Sequence, residues 1–158
     1  MAIPSSISSY LDGNRVSYSV VEHPIAYTAH EEAAATHVPD REWAKVVVCM
    51  ADGQPALAVL PADSAIDLDR LRALIGSASL RLATESEMGP FYEECEVGAM
   101  PPFGPLYGQR VFVDQSLASD PEIVFNAGSR REAIRMRYPD FAALVKPTVA
   151  RFAAPAAH

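Results

Sequence analysis

At 158 residues, 49% hydrophobic and 21% charged, the chain is long enough to bury the core of one domain without disulfide staples. Its net charge of −7 argues against wrapping long duplex nucleic acid, whose affinity comes from Lys and Arg neutralising phosphates, so DNA is not an expected partner. No apolar run approaches the roughly 18 residues of a membrane span, and residues 1–9 lack a basic region followed by a long apolar one, so neither membrane insertion nor secretion is expected.

In chain order, residues 5–12 predict a short opening helix, and residues 16–22 alternate Val and Tyr with Ser as a half-buried strand does. His23-Pro24 ends that strand. Thr28 and Glu31 have the spacing of a capping box, opening an Ala-rich helix to about His37. Residues 44–50 are β-branched and apolar on both faces, which predicts a central strand, and Asp52-Gly53 turns it into a hairpin with residues 55–60. Asp67 as N-cap and Gly76 as stop bracket a helix with Leu68, Leu71, Leu74 and Ile75 on its apolar face. Residues 80–83 suit a short strand. A second capping box, Thr84 to Glu87, starts a short helix expected to stop before Gly89-Pro90.

After the loop at residues 98–104, strands are expected at 111–114, 122–125 and 132–137, with a turn at 126–129. Tyr138-Pro139-Asp140 then begins a closing helix through Val145, and the tail from Phe152 to His158 is expected to fray. Hairpins without regular βαβ alternation predict an α+β (mixed α/β) fold with a largely antiparallel sheet, as a single domain over residues 1–158 with its core at about 16–145.

Three segments carry candidate chemistry. Gly98-Ala99-Met100-Pro101-Pro102-Phe103-Gly104 brackets two prolines with glycines, a composition that fixes backbone shape and suits main-chain contact with a ligand, or a tight surface turn. Lys45, the only lysine before Lys146, sits near the start of the central strand, where its ammonium can meet a phosphate or oxyanion or simply reach solvent. Asn126-Ala127-Gly128-Ser129 is a second small-residue turn at a strand end. Arg130, Arg131, Arg135 and Arg137 form a basic cluster able to hold a short phosphate segment, although a solvated strand face accounts for it equally well.

No metal is expected, because HExxH is absent and His30 and His37 have no ligand partners at metal spacing. Cys49 lies in an apolar run and Cys95 in an acidic one, without CxxC spacing, and both read as reduced thiols of a cytoplasmic protein. Neither a nucleotide-binding glycine pattern nor a GxSxG nucleophile elbow is present, so no cofactor is expected.

Taken in order, residues 28–34 before a helix, Ala44-Lys45-Val46-Val47-Val48, Gly98 to Gly104, and Asn126 to Ser129 resemble the YbaK family. That family includes the editing domain inserted in bacterial prolyl-tRNA synthetase and its free-standing relatives. The resemblance covers residues 16–145. It implies a curved, barrel-like sheet flanked by helices and, without a cofactor, trans-editing hydrolysis of the ester of a mischarged aminoacyl-tRNA carrying a small amino acid, alanine, serine or threonine ahead of cysteine.

The resemblance also implies residue roles. Lys45 matches the lysine needed for deacylation, and Gly98 and Pro102 the ends of a loop cradling the tRNA 3′ end, with Gly98 counted with Lys45 as catalytic. Ala99, Met100, Pro101, Phe103 and Gly104 fall within or beside that loop, and Asn126, Ala127, Gly128 and Ser129 border the aminoacyl pocket. Tyr27, Thr28, Val46, Met100 and Phe103 are expected pocket liners, with Met100 and Phe103 the place to look for specificity. The expected partner is the aminoacylated 3′ adenosine of a tRNA, with an aminoacyl-tRNA synthetase as a possible recruiter. The alternative is a non-catalytic module of the same fold that holds a tRNA end or a synthetase.

Overall fold

The structure, a computed structural model, describes residues 3–26 and 28–155; Tyr27 and His158 lie outside the described residues. The elements are α1 (Ser5–Gly13), β1 (Tyr18–Glu22), α2 (Ala29–Ala35), β2 (Ala44–Ala51), β3 (Gln54–Pro61), β4 (Ser64–Ile66), α3 (Leu68–Ile75), β5 (Leu80–Leu82) and α4 (Glu85–Phe91). A 3-10 turn (Gly104–Tyr107) precedes β6 (Arg110–Asp114), α5 (Gln115–Ala118), β7 (Glu122–Asn126), β8 (Glu132–Arg137), α6 (Tyr138–Val145), β9 (Thr148–Ala150) and β10 (Ala153–Pro155). The strands make a five-stranded sheet in the order β5-β2-β3-β6-β9, a three-stranded sheet β1-β8-β7 and a pair β10-β4. Only β3–β6 and β6–β9 run parallel, so the fold is mixed α/β with mainly antiparallel pairing.

The placement of the site follows from an incomplete pairing. β5 pairs with Cys49–Ala51 of β2, so among the described residues no strand pairs with the first half of β2 on that side. There Trp43, buried just before β2, forms a parallel bridge with Val124 of β7 and brings the two larger sheets together. Lys45 is thus held on a central strand where two sheets converge. In the core packed against Ala44, Val46 and Val48 of that strand, Phe103 meets Phe125 edge to face at 5.2 Å and Phe141 in a tilted arrangement at 6.3 Å, geometries that suit aromatic quadrupoles.

Thr28 and Thr84 both cap helices through their side chains, but only Thr84 completes the reciprocal box with Glu87. The helix opened by Thr84 passes Gly89-Pro90 and ends at Phe91, against expectation. Pro90 lies in the last turn, where its missing N–H removes one bond, and Tyr92 still donates to Met88 and Gly89 carbonyls at 3.2 and 3.3 Å. On α3 only Leu71 is fully buried and Leu74 is exposed, so the apolar face is narrower than its periodicity implied.

The expected loose tail is also structured in its first part. Phe152 is fully buried, its N–H donates to Asp114 Oδ1 at 2.9 Å, and its carbonyl accepts from Asp67 N–H at 2.8 Å. Ala153–Pro155 then pairs with Ser64–Ile66. Asp114 explains the ordering: it is buried, and it receives the Phe152, Ala153 and Ser116 N–H groups together with the Ser116 hydroxyl. These bonds hold its carboxyl below the usual range despite the opposing effect of burial. Phe152→Ala is expected to cost about 3–5 kcal/mol in urea unfolding, whereas a frayed tail would give a change near zero.

Candidate active site

A cleft of about 350 Å³ opens at the junction of the sheets, lined by the start of α2, the first residues of β2, the Gly98 loop, Asn126 and Arg130. Lys45 reaches it half-buried and donates from Nζ to the Ser64 carbonyl. Burial pushes its ammonium below the usual lysine range, and the nearby Asp63 carboxylate opposes that shift. Across the cleft, Arg130 donates from Nη2 to the Val97 carbonyl at 2.9 Å, and its backbone N–H donates to Glu96 at 3.1 Å.

The floor is a buried polar chain. His23 Nδ1 faces the Pro24 carbonyl at 2.9 Å, His23 Nε2 faces Asn126 Oδ1 at 3.0 Å, and Asn126 Nδ2 donates to Glu32 Oε2. His23, Asn126 and Glu32 are 6%, 7% and 4% exposed, so each depends on these partners. Because the Pro24 carbonyl only accepts, His23 Nδ1 must carry a proton. Two arrangements then satisfy every atom: an imidazolium with an ionised Glu32, or, with the amide reversed, a neutral imidazole with a protonated Glu32. Burial pushes the Glu32 carboxyl above its ordinary range, against the pull of the Asn126 amide, His23 and Arg130.

The two small-residue loops are laced to each other. Gly128 N–H donates to the Ala99 carbonyl at 2.7 Å, and Glu96 N–H donates to the Gly128 carbonyl at 2.8 Å. These main-chain groups, read from sequence as open to a ligand, therefore shape the wall of the cleft. Gly98 has φ +87°, a conformation that favours glycine, and a Cβ there would displace the Arg130 guanidinium from its place over the loop. At Gly128, φ +92°, a Cβ would press within 2.8 Å of Pro4.

Of the residues singled out from sequence, Thr28, Lys45, Val46, Gly98, Met100 and Asn126 line the cleft together. Ala99, Pro101, Pro102, Gly104, Ala127, Gly128 and Ser129 are buried behind it and do not line it. Phe103 is likewise a core side chain, fully buried among Tyr10, Phe125 and Phe141, which removes it from the pocket surface where specificity was sought. Tyr27 lies outside the described residues. Sequence reasoning missed Glu32 and Trp43 as lining residues and His23 behind them. Glu32 had a signal, a second carboxylate one residue beyond the capping Glu31, but its burial depends on the distant Asn126.

Cys49 and Cys95 do not line the cleft, and burial pushes the Cys49 thiol up to about 11 and the Cys95 thiol upward, opposite to what a thiolate nucleophile needs. Among the described residues, no three His, Cys, Asp or Glu side chains converge to hold a metal. No described helix is long and apolar enough to cross a membrane.

The aminoacyl-tRNA editing domain family matches residues 23–144 of the chain. Over 116 residues the chain is 32% identical to a proline–tRNA ligase of Nitratidesulfovibrio vulgaris, covering 73% of this chain and 20% of that protein. It thus spans about a fifth of the length of that ligase. It is 26% identical over 153 residues to the prolyl-tRNA editing protein ProX of Acetoanaerobium sticklandii, covering 92% of each. A solved structure described as a candidate trans-editing enzyme for prolyl-tRNA synthetase superposes with a TM-score of 0.81 over 97% of this chain and 99% of that one, at 24% identity, which is a likeness of fold. The chain belongs to the aminoacyl-tRNA editing domain family.

Glu32 gives a stability prediction with a definite sign. A carboxyl whose native pKa is raised contributes stability that is present below the unfolded carboxyl range and lost as pH rises through the native value. Glu32→Gln removes this loss while keeping an acceptor for Asn126. Its melting temperature relative to the native chain is therefore expected to be more favourable at pH 8 than at pH 4; a pH-independent difference would show that Glu32 carries no buried charge.

Proposed function

We propose that the protein is a cytoplasmic trans-editing hydrolase that removes a small, wrongly attached amino acid from the 3′ adenosine of a tRNA, with alanine the leading substrate and serine or threonine next. Lys45 carries the reading: a half-buried ammonium, below its ordinary pKa range and anchored on the Ser64 carbonyl, inside a cleft bounded by the Gly98 loop. In this reading Lys45 holds the terminal phosphate or the developing oxyanion, and Gly98 and Met100 border the bound adenosine. The proline–tRNA ligase and prolyl-tRNA editing relatives favour the tRNA of proline as the carrier and a proline-specific synthetase as the recruiter.

The chemistry asks little of the protein. An aminoacyl ester is already activated, so a water added to its carbonyl, with the ribose oxygen leaving as a hydroxyl, needs positioning and charge stabilisation more than a covalent nucleophile. Selection follows from size: a pocket fitted to alanine excludes proline, whereas one methylene more or less in an apolar pocket discriminates by only about 1–3 kcal/mol. A single-stranded CCA end needs few cationic contacts, which reconciles tRNA binding with a chain of net charge −7.

A panel of mischarged tRNAs tests the reading. Deacylation is expected for alanyl-tRNA of the proline type and not for its prolyl form, with Lys45→Ala lowering kcat/KM by about 100-fold or more, as for loss of an oxyanion donor. Absence of turnover across the panel, or binding of tRNA without turnover and unchanged by Lys45→Ala, would replace the enzyme with the binding module. Arg130→Ala is expected to raise KM and to reduce the dependence of log affinity on log salt by about 0.7, one single-strand phosphate contact; an unchanged salt slope removes Arg130 from the tRNA path.

A further inference from the structure

We infer that Glu32 is the receptor for the α-ammonium group of the bound aminoacyl moiety, held in place by Asn126 and His23; the inference rests on the functional reading above. Glu32 lines the cleft, yet its side chain is almost wholly buried. Oε2 is taken by the Asn126 amide, and among the described residues Oε1 receives no hydrogen bond from the chain. The cationic side chains near the cleft are engaged elsewhere: Lys45 on the Ser64 carbonyl and Arg130 on the Val97 carbonyl, with Arg130 acting on Glu32 only through its field. When Glu32 is ionised, its cationic partner His23 reaches it only through the Asn126 amide, so a ligand ammonium on Oε1 would supply the direct charge-assisted contact that the free protein does not make.

The neighbours of Glu32 suit the same task. Asn126 fixes the orientation of the carboxylate, and in the imidazolium arrangement Glu32 is ionised with its balancing charge on His23 behind Asn126, so the cleft side of the floor presents a carboxylate oxygen. An α-amino group next to an acyl carbon, whose pKa at a peptide terminus is about 7.7–8.0, is partly to largely cationic at neutral pH and is present in every aminoacyl ester whatever its side chain. Recognising it places the ester carbonyl at a fixed distance from the cleft floor. The side chain is then left to the Val46, Met100 and Trp43 surfaces, so that amine recognition and side-chain sizing are separate functions of one pocket.

The test is binding of a non-hydrolysable amide analogue, 3′-alanylamino-3′-deoxyadenosine, compared with its N-acetyl form, by calorimetry on the native chain, Glu32→Gln and Glu32→Asp. A charge-assisted hydrogen bond predicts a preference of about tenfold or more for the free amine in the native chain. Glu32→Gln is expected to reduce this preference to less than about threefold while leaving affinity for the N-acetyl form unchanged, and Glu32→Asp to keep part of it. Because the readout is a ratio within each protein, partial unfolding of a variant does not mimic it. The inference is overturned if the native chain shows no preference, if Glu32→Gln keeps it, or if Glu32→Gln loses both ligands equally. A native chain that shows the preference yet hydrolyses no aminoacyl-tRNA overturns the functional reading and leaves the amine receptor standing.

Discussion

The Asn126 side chain is the junction on which the rest of the site depends. Its amide joins His23, at the exit of β1, to Glu32, in the first turns of α2, and it sits at the end of β7, so two neighbouring elements near the N-terminus are tied to one far along the chain through one buried group. Removing one partner of such a chain leaves the others buried without hydrogen bonds, which costs more than the bond itself contributed. The turn that follows Asn126 is bonded to the Gly98 loop, and that loop is closed over by Arg130, so the same junction sets the opposite wall of the cleft.

A division of labour follows. Backbone rigidity comes from the two loops, whose main-chain groups satisfy each other, and from Phe103 and its aromatic neighbours beneath them. Charge comes from Lys45 and Arg130, which bring positive groups to the cleft, and from Glu32 on the floor. Such a separation suits a ligand with a phosphate at one end and an ammonium at the other. It also accounts for how a chain with an overall negative charge presents a local cationic rim.

Much of the fold was legible because its signals are local. The helix caps at Thr28, Asp67 and Thr84, the Asp52-Gly53 hairpin and the β-branched run of β2 are each written within a few residues. β4, β9 and β10 were not read, because three-residue strands exist only through partners far along the chain: β9 against β6, and β10 against β4. The helix through Pro90 and the ordered Phe152 segment were missed for the same reason, since a last-turn position and the carboxylate of Asp114 decide them. Within the site, residue types and order pointed to Lys45, Gly98 and Asn126. They could not distinguish the Met100 side chain, which borders the cleft, from Phe103, which faces the core, because a loop has no periodicity from which to infer direction. Glu32 and His23 escaped because a carboxylate in an exposed-looking capping sequence gives no local sign of burial.

The central claim is that the aminoacylated 3′ adenosine occupies the cleft between Lys45, the Gly98 loop and Asn126. The most direct measurement is backbone amide chemical-shift mapping during titration of the isotopically labelled protein with 3′-alanylamino-3′-deoxyadenosine. The structure offers a competing location in the larger cleft around Asp63, Ser116, Arg151 and Ala153. The account predicts that the largest saturable shifts fall on residues 43–46, 98–100 and 126–130, with residues 115–119 and 151–155 unmoved. Shifts concentrated on 115–119 and 151–155, or dispersed over the surface without saturation, would contradict it.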